Sequence, residues 1–273
     1  MNSSTQLKAH IRNLAKAKNV EAEIILRNYM LERFLERISL SKYKDCFILK
    51  GGMLITALVG IDTRTTMDMD ATVKNRALTE SIISELVTDI LNIEINDGVL
   101  FTLREVEEIR EDATYPSYRA SLVAAFDKTR QIIKIDMTAG DSITPKEIEF
   151  NYRLMFEDRT INIMAYNLET VLAEKYETII TRGVTTSRMR DYYDIYILTT
   201  TQSFDYDVFR TALQKTVNSR GTTQQMEDAN NIIQTVAKSS ILIDLWYRYQ
   251  QKYNYAGDVT WEMAIEALKK LCI

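Results

Sequence analysis

The sequence has few of the residues that mark several common classes of protein. It contains two cysteines, Cys46 and Cys272, and a single histidine, His10, among 273 residues. Two cysteines cannot form a disulfide framework, and one histidine without cysteine pairs argues against a structural zinc site and a His-based catalytic triad. Any metal ion must therefore be held by carboxylates, and we assign His10 no function.

Long apolar runs and a strong excess of one charge are also missing. No apolar stretch approaches the roughly 18 residues of a membrane-spanning helix, and the first residues lack the basic and apolar segments of an export signal. We therefore expect a cytoplasmic protein. The net charge of -4 speaks against a generally basic nucleic-acid-binding protein, although a local basic face is compatible with it.

Hydrophobic spacing predicts an α+β chain. Residues 5–38 show the spacing of two amphipathic helices, residues 46–137 mix helical and β-rich segments, and helical spacing dominates after Asn167. We expect a mixed β-sheet flanked by helices in an N-terminal domain, residues 1–160, and an α-helical C-terminal domain, residues 161–273. The helical segments expected beyond Asn167 are 168–182, 188–200, 205–217, 225–250 and 260–271.

Three aspartates lie in segments that predict strands. Asp68 and Asp70 belong to the alternating segment 67–73, so their carboxylates would point to one face of a strand. Asp136 lies between apolar neighbours, as expected for a strand in the middle of a sheet. If the two strands are neighbours, three carboxylates share one face and could hold one or two Mg²⁺ that align a triphosphate. An alternating strand with a solvated acidic side is the alternative.

The turn Lys50-Gly51-Gly52 follows a short apolar run and opens a predicted helix. Glycines let the backbone approach a phosphate closely, and a helix N-terminus supplies free N–H groups and the positive end of the helix dipole. We therefore expect phosphate binding at this turn, although glycine pairs also form turns without a ligand. Combined with the three aspartates, the turn describes one nucleotide pocket.

A Gly-Gly turn, an Asp-x-Asp motif and a later Asp together resemble the nucleotidyltransferase superfamily of polymerase beta type. More narrowly, the chain resembles the AbiEii/AbiGii toxins of bacterial type IV toxin–antitoxin and abortive-infection systems, from about residue 45 to residue 200. The resemblance implies a Mg²⁺-dependent nucleotidyltransferase that transfers NMP from an NTP to an acceptor hydroxyl. The segments that carry it in the first half are 47–52, 64–70 and 135–141.

The resemblance also implies the site residues. In the helical half, Lys175 would contact the nucleotide phosphates, and the Asp-x-x-Asp motif of Asp191 and Asp194 would complete the active site. A surface ion pair between two helices is the alternative, and Arg64 and Thr66 are equally compatible with a structural turn. The expected catalytic residues are Asp68, Asp70, Asp136, Lys175, Asp191 and Asp194, of which the first three would bind metal. The expected phosphate-binding residues are Lys50, Gly51, Gly52, Arg64, Thr66 and Lys175.

The resemblance finally implies partners. It points to the 3′ end of tRNA as the acceptor, to a cognate antitoxin that need not contact the toxin, and to inhibited growth or aborted phage infection as the outcome. The alternatives are a small-molecule or protein acceptor, or a non-catalytic module that binds nucleotide or antitoxin. We expect the many aromatic residues of the helical half to form its core. Basic residues that could receive an RNA backbone there are Arg182, Arg188, Arg190, Arg210, Lys215 and Arg220.

Overall fold

The computed structural model describes residues 3–109 and 116–272. Contacts within the chain divide it into two compact units. The first, here called the sheet unit, contains the β-sheet and the helices that pack on it, and the second, here called the helical unit, contains the later helices. The sheet unit comprises Met1–Gly140 and Glu147–Ala165, and the helical unit comprises Asp141–Lys146 and Tyr166–Ile273.

Seven strands in the described part of the chain form one mixed sheet with the order β3-β4-β5-β2-β1-β7-β6. The strands are β1 Phe47–Lys50, β2 Met69–Val73, β3 Val99–Glu108, β4 Ser117–Phe126, β5 Thr129–Thr138, β6 Ile148–Arg153 and β7 Thr160–Ala165. Strand β2 is parallel to β5 and β1 is parallel to β7, whereas the other neighbours are antiparallel. The helices of the sheet unit are α1 Ser4–Lys18, α2 Ala22–Leu40, α3 Gly51–Val59 and α4 Glu80–Leu91. The expected α+β class is therefore confirmed.

Alternation along β5 gives the sheet one apolar face and one polar face. Ile133, Ile135 and Met137 are fully buried, whereas Lys134 and Asp136 on the opposite face are only partly buried. Strand β2 follows the same rule, with Met69 and Ala71 fully buried and the intervening Asp70 partly exposed. The pleat thus directs the acidic side chains away from the apolar core.

Strands β6 and β7 were not expected from the sequence. Strand β6 lies at the edge of the sheet, and among its residues only Tyr152 is buried, so it lacks the apolar alternation that identifies a strand. In β7 the alternation is present, since Ile161, Ile163 and Ala165 are buried, but the strand is short. Both add to the sheet beyond β1.

The helical unit contains more helix breaks than the spacing indicates. Its helices are α5 Leu168–Arg182, α6 Met189–Thr201, α7 Tyr206–Arg220, α8 Thr223–Glu227, α9 Ala229–Ala237, α10 Ser240–Lys252 and α11 Trp261–Lys270. The expected single helix over 225–250 is wrong, because the chain breaks at Asp228 and again before Ser240. Ser239 separates α9 from α10 because it is the N-cap of α10, where its hydroxyl accepts a hydrogen bond from the N–H of Leu242. Asn167 caps α5 in the same way, as the sequence predicts.

Aromatic side chains form much of the core of the helical unit, as expected. Tyr192, Tyr193, Trp246 and Trp261 are almost fully buried. The indole N–H of Trp246 donates to the carbonyl of Val259 at 2.9 Å, so its polar atom is satisfied inside the core. These rings are therefore not a surface on which bases could stack.

None of the helices in the described ranges is long and apolar enough to cross a membrane.

Candidate active site

A row of charged side chains runs across four neighbouring strands of the sheet unit. In register, Lys50 on β1 lies opposite Asp70 on β2, Asp70 lies opposite Asp136 on β5, and Asp136 lies opposite Arg119 on β4. Register partners on neighbouring strands point to the same face of a sheet. The row therefore places two carboxylates side by side, with one cation at each end. Asp68 lies in a bend just before β2, two residues from Asp70, and its carboxylate interacts electrostatically with Asp136 and Arg119.

Arg119 holds the Asp136 carboxylate with two hydrogen bonds. Its Nε donates to Oδ1 at 2.7 Å, and its Nη2 donates to Oδ2 at 2.8 Å. This bidentate geometry is the strong form of a guanidinium–carboxylate pair. Hydrogen bonding to Asp136 raises the pKa of Arg119, so the guanidinium stays charged. No motif in the sequence singles out Arg119.

Negative charge on this face is incompletely compensated. Burial, and then repulsion from Asp136, raises the pKa of Asp70, although Lys50 opposes this effect. Burial and Asp136 also raise the pKa of Asp68, against the opposing charge of Arg119. Both carboxylates would accept a proton more readily than an ordinary aspartate, and a bound cation would remove that tendency.

The glycine turn packs directly against Asp70. Gly51 has a φ of 64°, a backbone conformation that residues with a Cβ rarely adopt. A Cβ atom at this position would also lie 2.8 Å from the Cβ of Asp70. A Cβ at Gly52 would lie 2.5 Å from Oγ1 of Thr66. The backbone N–H of Gly52 points to Oδ2 of Asp70 at 3.4 Å. Helix α3 therefore begins beside the acidic row, with the positive end of its dipole toward a carboxylate.

Three of the side chains expected to bind phosphate lie next to this turn, namely those of Lys50, Arg64 and Thr66. Lys50 Nζ donates to Oγ1 of Thr138 at 2.8 Å, beside Asp70. Arg64 is 2% exposed and donates to the carbonyl of Thr65. The hydroxyl of Thr66 donates to the carbonyl of Asp68 at 3.0 Å, which fixes the loop before β2. The structure thus gives Arg64 and Thr66 local roles in shaping the turn.

The donor chemistry of the sheet unit fits a hard divalent cation. Within residues 3–109 and 116–272, no group of three or more His, Cys, Asp or Glu side chains is arranged to hold a metal ion. Asp68 and Asp70 nevertheless supply carboxylate oxygens, and Mg²⁺ is usually bound by one or two carboxylates together with substrate phosphates. Such a donor set suits a cation that arrives with a nucleotide.

A second charged cluster lies in the helical unit, between α5 and α6. The ammonium of Lys175 lies 2.8 Å from Oδ1 of Asp191 and 2.7 Å from Oδ2 of Asp194. The side chain of Lys175 is 14% exposed, and that of Asp194 is fully buried, so this ion pair between two helices is present but is buried and not on the surface. Burial opposes ionisation of Asp191, but Lys175 and Arg188 lower its pKa overall. The cluster thus fixes the ammonium of Lys175 between two carboxylates at low solvent exposure.

Two of the basic residues considered for RNA are engaged in ion pairs within the helical unit. Nε of Arg188 donates to Oδ2 of Asp191 at 2.8 Å, and Arg220 pairs with Glu174 and Glu177. Their charges are therefore partly neutralised before any phosphate arrives. Arg182, Arg210 and Lys215 are exposed to solvent.

Comparison with known proteins finds one matching family model. A model described as "Nucleotidyl transferase AbiEii toxin, Type IV TA system" matches residues 33–267, which is well over half of the chain. No curated protein matches the sequence. Similar solved structures include one of a candidate nucleotidyltransferase from H. pylori and one of JHP933 from Helicobacter pylori, each 15% identical with a TM-score of 0.48. The similarity covers 92% of this chain and 97% and 94% of theirs, and at this level it supports no argument about function.

The first prediction concerns the contact between the glycine turn and Asp70. Gly51→Ala should lower the free energy of unfolding by about 2–4 kcal/mol, because it adds overlap with Asp70 to the cost of a positive φ. Gly221→Ala is the matched control, since Gly221 has a φ of 67° and no atom within 4 Å of an added Cβ. It should cost only about 1–2 kcal/mol. Calorimetric unfolding of both variants measures the difference, and equal losses would contradict the proposed packing.

The second prediction concerns Lys175. Lys175→Met should destabilise the helical unit by about 3–5 kcal/mol, because it leaves buried carboxylates without their ammonium. Adding Asp194→Asn should recover part of this loss. Lys215→Met, at an exposed position on α7, should change stability by less than about 0.5 kcal/mol. Urea unfolding followed by tryptophan fluorescence reports on this unit, since Trp246 and Trp261 both lie in it. A double variant no more stable than Lys175→Met would argue against the charge explanation.

Proposed function

The chain belongs to the family of AbiEii nucleotidyl transferase toxins of type IV toxin–antitoxin systems, and we propose that it transfers NMP from an NTP to an acceptor hydroxyl, releasing pyrophosphate. The observation that carries this proposal is the pair Asp70 and Asp136, side by side on parallel strands and next to Asp68 and the glycine turn. A half-buried acidic face beside a helix N-terminus suits a polyphosphate together with a cation.

We assign the metal-binding role to Asp68, Asp70 and Asp136. Mg²⁺ bound there would neutralise phosphate charge and support in-line attack on the α-phosphorus. Gly51 and Gly52 would let the phosphates approach the backbone at the start of α3, and Lys50 would add positive charge at the same end of the row. The buried Arg64 and Thr66 would hold the turn in shape.

We further propose that the buried lysine of the helical unit serves the same reaction. Lys175 would neutralise charge that develops on the triphosphate, and Asp191 would orient its ammonium or accept the proton of the acceptor hydroxyl. Asp194, fully buried and 2.7 Å from the same ammonium, would position Lys175 without touching substrate. Support comes from the fixed position of Lys175 in its two ion pairs.

For the acceptor we propose RNA, with the 3′ end of tRNA as the specific target, in the cytoplasm where NTPs are abundant. The exposed Arg182, Arg210 and Lys215 would contribute positive charge for a phosphate backbone. A cognate antitoxin would counteract the activity, and the result for the cell would be growth inhibition or abortion of phage infection. This assignment of acceptor and outcome derives from the family.

The third prediction tests the transfer reaction. Wild-type protein, incubated with labelled NTPs, Mg²⁺, total RNA and total protein, should label RNA. Asp68→Asn and Asp70→Asn should reduce labelling about a hundredfold or more, because each removes a charged metal ligand while keeping the shape of the side chain. Asp158→Asn, at a fully exposed aspartate of the same unit, should label like wild type. Mass spectrometry identifies the labelled molecule, and growth of cells that express each variant measures toxicity.

The outcomes separate the candidate functions. Label on protein or on small molecules would keep the chemistry and overturn the RNA acceptor. Toxicity of both folded variants equal to that of wild type, without labelling of any acceptor, would overturn the nucleotidyltransferase reaction and favour a binding module. Lys175 should be tested as Lys175→Arg, because this variant keeps a positive charge between Asp191 and Asp194, whereas Lys175→Met leaves the two carboxylates unpaired.

A further inference from the structure

The pairing of Arg119 with Asp136 has no role in the reaction described so far. Both oxygens of the carboxylate accept hydrogen bonds from the guanidinium, at 2.7 and 2.8 Å. The pair is partly buried, with side chains 26% and 18% exposed. Asp136 is also the carboxylate expected to complete the metal site. In the structure, therefore, a guanidinium already provides the cation for this ligand.

A divalent cation and Arg119 are expected to oppose each other at Asp136. Metal coordination needs a carboxylate oxygen at about 2.1 Å in a nearly fixed geometry, and it would bring two positive charges into close contact with the guanidinium. Repulsion between these charges is strong on a half-buried surface, where solvent screens little. The repulsion therefore weakens metal binding at Asp136 as long as Arg119 stays paired with it, and Asp136 binds the metal most strongly once Arg119 has moved.

A nucleotide offers Arg119 another partner. The guanidinium binds phosphate oxygens with the same bidentate geometry as a carboxylate, and its flexible stem allows the head group to turn. Arg119 lies in the same cross-strand row as Asp70, against which the glycine turn packs. Phosphates bound at that turn would bring anionic oxygens toward the row. If the guanidinium of Arg119 then left Asp136, the phosphates would replace the carboxylate as its anionic partner.

We infer that Arg119 couples nucleotide binding to metal binding: it neutralises Asp136 in the free protein and transfers to the nucleotide phosphates when nucleotide and cation bind together. This inference rests on the proposed function. It makes Arg119 a further substrate-binding residue, and it predicts that the free protein holds a divalent cation weakly. Removing the guanidinium should strengthen cation binding without nucleotide and weaken nucleotide binding.

The fourth prediction measures these two affinities separately. Free Mn²⁺ is measured by electron paramagnetic resonance at pH 8 without nucleotide, and the binding of a mixture of non-hydrolysable α,β-methylene nucleoside triphosphates is measured by equilibrium dialysis with Mn²⁺, which reports the bound nucleotide and the bound metal. Arg119→Gln should bind Mn²⁺ about tenfold more tightly than wild type without nucleotide, and should bind the nucleotide analogues about tenfold more weakly. Arg119→Lys keeps the charge but loses the bidentate pair, so it should change both affinities in the same directions by less.

Arg130→Gln is the matched control. Arg130 lies on the same strand as Asp136, six residues away, and is exposed, so this variant should behave like wild type. If Arg119→Gln does not fold by circular dichroism, Arg119→Lys alone decides the result.

Unchanged or weaker Mn²⁺ binding by the folded Arg119 variants would overturn the coupling while leaving the proposed reaction intact. Failure of wild type to bind Mn²⁺ even with the analogues would overturn both proposals.

Discussion

The main electrostatic constraint on the sheet unit comes from two carboxylates in register on adjacent parallel strands. Asp70 on β2 and Asp136 on β5 lie opposite each other on the polar face, with Asp68 two residues away. Like charges at this spacing are unfavourable, and burial increases their cost. The chain partly compensates for them by placing Lys50 and Arg119 at the two ends of the row and the start of α3 beside Asp70. Some of the negative charge is not neutralised by these groups. A metal ion bound together with a nucleotide would neutralise it.

The sequence was sufficient to predict the parts of this site whose signal is local. The strand, glycine turn and helix around Lys50 follow from a short apolar run, two glycines and a change of period. The direction of Asp70 follows from alternation alone and that of Asp136 from its apolar neighbours, whereas Asp68 lies in a bend before β2, where alternation does not determine the direction of a side chain. Because these sequence signals depend only on nearby residues, the features that they indicate can be predicted without knowing which strands pair.

The register between strands could not be predicted, and this is why Arg119 was missed. Phe126 pairs with Thr129, so only Asp127 and Lys128 separate β4 from β5, and no sequence pattern distinguishes this two-residue turn from a three-residue loop over 127–129. A register shift of one residue moves every side chain to the other face, so the longer loop would not place Arg119 opposite Asp136. Asp127, with a φ of 51°, permits the tighter turn.

Burial was the other quantity that the sequence could not supply. Spacing of three residues places Asp191 and Asp194 on one helical face, but it does not say whether that face meets solvent or α5. In the structure both aspartates contact Lys175 at low solvent exposure. The Asp-x-x-Asp spacing, which is common on exposed helix faces, here belongs to a buried charge cluster. Arg188 and Arg220 do lie at the surface, but each is paired with an acidic residue, which the sequence did not indicate.

The central claim is that the acidic row of the sheet unit binds a divalent cation together with a nucleotide. A crystal structure of the protein with Mn²⁺ and a non-hydrolysable NTP tests it most directly, because anomalous scattering locates the metal independently of the rest of the density. The account predicts an anomalous peak within coordination distance of Asp68 and Asp70, with phosphate oxygens completing the ligand set. A nucleotide bound elsewhere, or a metal that avoids both aspartates, would contradict it.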